Sequence, residues 1–283
     1  MSYSPTASVC IPTYNFARFL PDAIDSVLVQ DYPDYELLVV DNCSTDNTAE
    51  IVNTYVKKDQ RVRYIRNPQN IGMVRNWNRC LEEASGKYVK ILCADDLLAP
   101  SCLRESIEIL VSDPSVALVS CKRLVVTELL VPICTLSFSE DREFARGVDT
   151  INICLRKGNL IGEPTAVTFR KSLSGRGFDP DYVHLADLEM WFHLLEQGDF
   201  AFIPEALCRF RRHEGQETRF NTKNYSFVND EINLFSEYID KKYINMSVYQ
   251  KSTLKLFRKF SVRTTKTKLQ VLHALSDIKS KFT

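Results

Sequence analysis

An α/β fold, with a mostly parallel central sheet and helices on both faces, is predicted by two observations. From Ser8 to Cys121 short apolar strands alternate with segments whose apolar residues recur at helical spacing, which is the signature of repeated β-α units. The ends of successive strands also carry polar or acidic groups, at Thr13-Tyr14-Asn15, Asp41, Asn70 and Asp95-Asp96. In open sheets of this kind ligands bind beyond the carboxyl ends of the strands.

The elements follow in order. Ser8 to Ile11 is a β-branched strand stopped by Pro12, and Arg18 to Gln30 is a helix through Phe19, Ala23, Val27 and Leu28. Glu36 to Val40 forms the second strand; the polar turn Asn42-Cys43-Ser44-Thr45-Asp46 leads to a helix over Thr48 to Val56. Val62 to Ile65 is the third strand, and the turn through Asn70-Ile71-Gly72 opens a helix passing Trp77 and Leu81. Lys87 to Cys93 is the fourth strand and ends at Ala94-Asp95-Asp96; a helix from Ser101 to Leu110 and a strand from Val116 to Cys121 come next. There the alternation breaks. Lys122 to Thr127 and Leu130 to Leu136 read as a strand pair, Ile151 to Arg156 as a short helix, and Asn159 to Arg170 as a loop entering a strand. Leu185 to Glu196 is a helix closed by Gly198, and short strands over Phe200 to Ile203 and Leu207 to Arg211 lead into a polar loop, Arg212-His213-Glu214-Gly215-Gln216.

Length and composition bound the organisation. The 283 residues, 45% of them apolar, support one large domain with an appendage; we place the boundary between a domain over 1–220 and a basic helical region over 221–283. Lys+Arg and Asp+Glu are equal at 36 each, so no overall field favours nucleic acid. From Lys241 to Thr283, however, eleven basic residues face one acid, Asp277. Leu269, Leu272, Leu275, Ile278 and Phe282 recur there at helical intervals among lysines, which suits an anionic membrane surface, packing on the acidic remainder of the chain, or a second copy of the chain. Nine scattered cysteines without a Cys-x-x-Cys pair read as reduced thiols of a cytoplasmic protein. No secretory signal is expected at the amino terminus.

Asp95-Asp96 is the centre of the chemical reading. Two acids at the end of a buried strand are costly unless something positive meets them, and Mn²⁺ or Mg²⁺ shared with a diphosphate would do so. The usual phosphate devices are absent: no Gly-x-Gly-x-x-Gly follows the first strand, and Gly86-Lys87 lacks the rest of a Walker loop. That weakens dinucleotide-redox and P-loop readings. Asp187, in the first turn of its helix, is either a helix cap or a general base. Arg212 and His213, in a polar loop with basic neighbours, suit a lid over phosphates.

Together these stretches resemble the inverting glycosyltransferases of family 2, the bacterial polysaccharide type with the GT-A fold. The resemblance is carried by Val9 to Asn15, Leu38 to Asp46, Asn70-Ile71-Gly72, Ala94-Asp95-Asp96 and Ala186-Asp187 with Trp191, and it spans about residues 7–216. It implies that Pro12, Thr13, Tyr14, Asn15 and Asn70 line a nucleotide pocket, that Asp41 accepts a hydrogen bond from the base, that Asp95 meets the ribose and Asp96 the metal. Asp187 would take the proton of the acceptor hydroxyl, a glycan or lipid-linked group. A UDP sugar is favoured as donor, because Asp41 would read the imide N–H that uracil and thymine share. The chain departs from the family pattern at Asn42, where an acid is common, and at Ala186, which replaces the usual Glu before the base. The second change predicts a lower proton affinity at Asp187. A nucleotide-sugar-binding protein without turnover is the alternative that these departures leave open.

Overall fold

The computed structural model describes residues 4–216, 226–248, 250–253 and 255. Most of the basic stretch from Lys241 to Thr283, including its leucine repeat, lies outside the described residues. Two compact units are present, one of residues 1–181 and 186–213, the other of 182–185 and 214–283.

The first unit is built on one sheet. Its elements are β1 (Ala7–Thr13), α1 (Leu20–Leu28), β2 (Tyr35–Asp41), α2 (Thr48–Val56), β3 (Val62–Arg66), α3 (Met73–Glu83), β4 (Tyr88–Ile91), β5 (Leu97–Leu98), α4 (Cys102–Ser112), β6 (Val116–Thr127), β7 (Pro132–Leu136), β8 (Glu143–Ala145), α5 (Gly147–Lys157), β9 (Val167–Arg170), α6 (Ala186–Leu195) and β10 (Asp199–Arg212). Strand order is β3-β2-β1-β4-β9-β6-β10-β5, with β7 beside β6 and β8 beside β10. The pairs β3-β2, β2-β1, β1-β4 and β6-β10 are parallel. Every residue of β2 and β4 is buried, as expected of interior strands of a parallel sheet. The helix α3 packs against β1 and β2, and α4 against β6.

The mixed second half departs from the expected element by element. The strand β9 enters antiparallel between β4 and β6, so the two parallel blocks are joined by a strand that comes late in the chain. The expected strands over Val116 to Cys121 and Lys122 to Thr127 are one, β6, and those over Phe200 to Ile203 and Leu207 to Arg211 are likewise one, β10. Register shifts between Ile203, Ala206 and Cys208 surround Pro204, which has no N–H to give the ladder. The fourth strand ends early, at Ile91, and β5 pairs antiparallel with β10. The hairpin of β6 with β7 is present as expected.

In the second unit, α7 (Ser226–Tyr238) contributes the buried residues Leu234, Phe235 and Tyr238. Its Asp230 is 3% exposed, and Oδ2 accepts the main-chain N–H groups of Val183, His184 and Leu185. No helix of the described residues is long and apolar enough to cross a membrane.

Candidate active site

The parallel register brings the tips of β1 and β2 side by side: Thr13 faces Asp41, and the N–H of Asn42 donates to the carbonyl of Thr13 at 2.8 Å. The loops after these strands are laced together. Asn15, at φ +58°, accepts the N–H of Thr45 on Oδ1 at 2.8 Å and donates its own N–H to Ser44 Oγ at 2.9 Å; Asn is among the residues that tolerate this left-handed backbone. Pro12 is half-buried, and Tyr14 and Asn15 are exposed. Thr13 is 3% exposed, and its hydroxyl has no hydrogen-bond partner among the described residues. A buried hydroxyl left so is costly, and a ligand at the rim would satisfy it.

Asp41 has no exposed surface. Its Oδ1 accepts the N–H of Ser44 at 2.8 Å, and its Oδ2 accepts the Tyr64 hydroxyl at 2.6 Å and lies 3.4 Å from Nε of Arg66. The residue therefore fixes Ser44, Tyr64 and Arg66, and the Arg66 side chain, about half exposed at 49%, is the group that reaches the surface. Asn42 is a hub. Its Nδ2 donates to Asn70 Oδ1 at 2.8 Å, while its Oδ1 accepts from Asn67 Nδ2 and the N–H of Ile71 at 3.2 and 2.9 Å. The exposed Asn70 thus belongs to an asparagine network that shapes the 67–71 loop.

Across β1, the acid pair divides into two environments. Asp96 is 1% exposed; Thr165 donates its hydroxyl to Oδ2 at 2.6 Å and Arg211 its main-chain N–H to Oδ1 at 2.9 Å. Burial first, and then the neighbouring Asp95 carboxylate, push its proton affinity well above the carboxylate range. Asp95 is half-buried and lies 2.9 Å, Oδ2 to Nε2, from His213. Ligand atoms of Cys93, Asp95 and Asp96 lie within 4.8 Å of one another, and carboxylates are common ligands of divalent ions.

Arg212 and His213 stand differently from the expected polar loop: Arg212 is exposed but is the last residue of β10, in register with Thr127, whereas His213 is 5% exposed and not on a surface loop. Its ring packs against Phe16 and Phe19, with centroids 5.7 and 4.6 Å away. Aromatic contact and the Asp95 carboxylate hold the imidazole inward. Beside it Arg211 is 2% exposed, reaching Asp22 at 2.7 Å and stacking over Phe19 at 4.7 Å.

Asp187 opens α6, half-buried. Its Oδ1 accepts the N–H of Leu188 at 2.7 Å, and Asn159 Nδ2 approaches Oδ2 at 3.5 Å. Its proton affinity is raised, to about 7, chiefly by burial; the N–H of Leu188 opposes this, Glu163 adds to it and Arg123 opposes it. Burial raises the affinity even without an acid at 186, and the Glu163 carboxylate, from a distant loop, adds to it. Glu163, Arg123 and Thr165 were not singled out in the sequence. The only signal was a Gly-Glu-Pro-Thr stretch in a loop entering a strand.

That loop runs from Asp187 to the acid pair. Asn159 reaches Asp187 and accepts the N–H of Gly162; Trp191, one turn on from Asp187, donates its indole N–H to the carbonyl of Gly162 at 2.9 Å; Thr165 bonds Asp96. On the other side Phe16 touches His213, and Asn15 meets Ser44, which is tied to Asp41. The tips of β1, β2 and β4 and the start of α6 are thus joined by a continuous chain of contacts.

Comparison with known proteins agrees with this organisation. Residues 8–133 match the family described as "Glycosyl transferase family 2". A Mycobacterium tuberculosis protein described as uncharacterized protein MT1568 is 32% identical over 219 residues, 74% of this chain and 67% of that one. The putative teichuronic acid biosynthesis glycosyltransferase TuaG of Bacillus subtilis is 29% identical over 222 residues, 74% of this chain and 80% of its own. Among solved structures, S. aureus TarS residues 1–349 in complex with UDP-GlcNAc superposes with a TM-score of 0.69 at 21% identity, covering 90% of this chain and 73% of that chain. The mannosyltransferase PcManGT from Pyrobaculum calidifontis, in complex with GDP-Man and Mn²⁺, gives 0.63 at 20% identity, covering 99% and 81%.

Proposed function

The chain belongs to glycosyl transferase family 2, and from this premise we propose that it moves a sugar from a nucleoside-diphosphate donor, a UDP sugar by preference, to a hydroxyl of a glycan or lipid-linked acceptor with inversion at the anomeric carbon. Membership of the family makes it a glycosyltransferase; its donor, metal, mechanism and acceptor are the proposal.

The observation that carries the reading is Asp187, a half-buried carboxylate whose proton affinity lies near 7. A general base works best when its affinity matches the working pH. In the step we propose, the acceptor O–H gives its proton to Asp187 as the oxygen bonds the anomeric carbon, and the bond from that carbon to the diphosphate oxygen breaks. Inversion needs one such base and no covalent intermediate. Glu163, the other carboxylate nearby, is held in an ion pair with Arg123 at 3.0 Å, which suits a fixed charge and not a nucleophile.

For Mn²⁺ or Mg²⁺ the donor that fits is Asp95, with Asp96 behind it. What favours Asp95 over Asp96 is accessibility, since both oxygens of Asp96 already accept hydrogen bonds under cover. A bound ion would neutralise the leaving nucleoside diphosphate. At the nucleotide end, Pro12, Tyr14, the unpartnered hydroxyl of Thr13, and the Tyr64 and Arg66 side chains held by Asp41 support a base and ribose pocket. UDP as the nucleotide is supported by the fold shared with TarS, whose structure contains UDP-GlcNAc, and divalent metal use by that shared with PcManGT, crystallised with Mn²⁺. A role in surface polysaccharide synthesis follows the description of TuaG. The basic excess from Lys241 to Thr283 supports contact with an anionic membrane surface, for which liposome flotation of the full chain is the check.

The test is nucleotide release from a panel of nucleotide sugars with Mn²⁺. Turnover by the wild type and loss of turnover in Asp187→Asn, with UDP affinity kept, are expected. Binding without turnover on every donor would overturn the proposal.

A further inference from the structure

Glu163 has no part in the step above, yet the fold builds a mount for it. Arg123 of β6 is 4% exposed, and its Nη1 donates to Glu163 Oε2 at 3.0 Å while Nη2 lies 3.5 Å from the carbonyl of Leu160. Gly162 sits at φ +112°, and a Cβ there would overlap the Arg123 guanidinium. The residue before the carboxylate is therefore suited to glycine by its backbone. Glu163 itself keeps a third of its side chain exposed, 32%. The loop is sewn to α6 by Asn159 and by the indole of Trp191. A buried guanidinium is a costly way to hold a surface acid. It makes sense if the position of the charge matters.

Resting on the reading of Asp187 as the base, we propose that Glu163, clamped by Arg123, is a positioning residue for proton transfer, keeping a fixed negative charge beside Asp187 where the preceding position, Ala186, carries none. The charged groups that bear on Asp187 from the elements around it are Glu163 in the loop and Arg123 on β6; its own helix adds Glu189, which pairs with Arg176. Glu163 strengthens the base and Arg123 weakens it. Arg123 also fixes where Glu163 can be, so their pairing sets the position of the negative charge by geometry.

Glu163→Gln removes the charge while keeping an oxygen for Arg123, and Glu163→Asp keeps the charge on a shorter arm. In the full chain labelled with ¹³C at aspartate carboxyls, the Asp187 resonance is identified by its loss in Asp187→Asn. A midpoint about one pH unit lower in Glu163→Gln is expected, with at least half of that gap restored in Glu163→Asp, and a lower thermal midpoint in Glu163→Gln because the buried Arg123 loses its counter-charge. An unchanged Asp187 midpoint in Glu163→Gln overturns the proposal. So does a Glu163→Asp that behaves like Glu163→Gln, since charge would then not be the cause. Retained sugar transfer in Asp187→Asn would instead remove the base reading on which the proposal stands, and leaves a different signature from either.

Discussion

The hydroxyl of Thr165 donates to Asp96 Oδ2 at 2.6 Å, a bond between two buried side chains 69 residues apart. It fastens the turn after β4 to the loop before β9. Because Asp96 has almost no exposed surface, losing this donor leaves a buried carboxylate oxygen unsatisfied. Thr165→Val, which keeps the shape, is expected to cost about 1–3 kcal/mol in chemical denaturation. Thr165→Ser should keep most of the stability, and a Thr165→Val protein as stable as the wild type would show that the bond contributes nothing.

The raised affinity of Asp187, to about 7, makes two signed statements about pH. For catalysis the base must be ionised, so turnover should rise with pH through a midpoint of about 7 and fall about tenfold per unit well below it. For stability the folded state binds the proton more tightly than the unfolded chain, so the contribution of Asp187 is fully present below about pH 4 and is lost as pH rises to about 7. The total lost is at most about 4 kcal/mol. Asp187→Asn should flatten that segment of a stability-against-pH curve and be more stable than the wild type at pH 8. A curve of unchanged slope in the variant would contradict the assignment.

The alternation of strands and helices up to Cys121 was legible because each unit is local: its period, its turn residues and its end are written within about thirty residues. The gathering of Thr13, Asp41 and Asp95-Asp96 at one rim followed from it. What sequence could not supply was pairing across distance. The antiparallel entry of β9 between β4 and β6 depends on a strand whose partners lie about 80 and 50 residues earlier. Glu163 is held by Arg123, 40 residues before it, a pairing that no local pattern announces. His213 read as a loop residue because its packing comes from Phe16 and Phe19, which stand near the other end of the described chain.

Asp95 tests the proposed metal site. Asp95→Asn keeps a polar group of the same reach and removes the charge. If Asp95 holds the ion, the variant should raise the Mn²⁺ concentration for half-maximal turnover by about 10-fold or more. An unaltered Mn²⁺ requirement would move the site elsewhere on the rim.

Asn42 invites a substitution toward the family pattern, and the structure argues against it. Its amide is used from both ends: Nδ2 gives a proton to Asn70 Oδ1 at 2.8 Å, and Oδ1 accepts the N–H of Ile71 at 2.9 Å and Nδ2 of Asn67 at 3.2 Å. Asn67 is committed in turn to Asn76, whose own amide donates to the carbonyl of Val40. An aspartate at 42 would set two acceptors against each other where Asn70 now receives a donor, and Asn42 is only 3% exposed. Asn42→Asp is therefore expected to destabilise the protein by about 1–2 kcal/mol and to weaken nucleotide binding through the 67–71 loop, both recovered by adding Asn70→His, whose ring can donate to the new carboxylate. A gain in nucleotide affinity from Asn42→Asp alone would mean that the amide network is dispensable and that the acid reads the base directly.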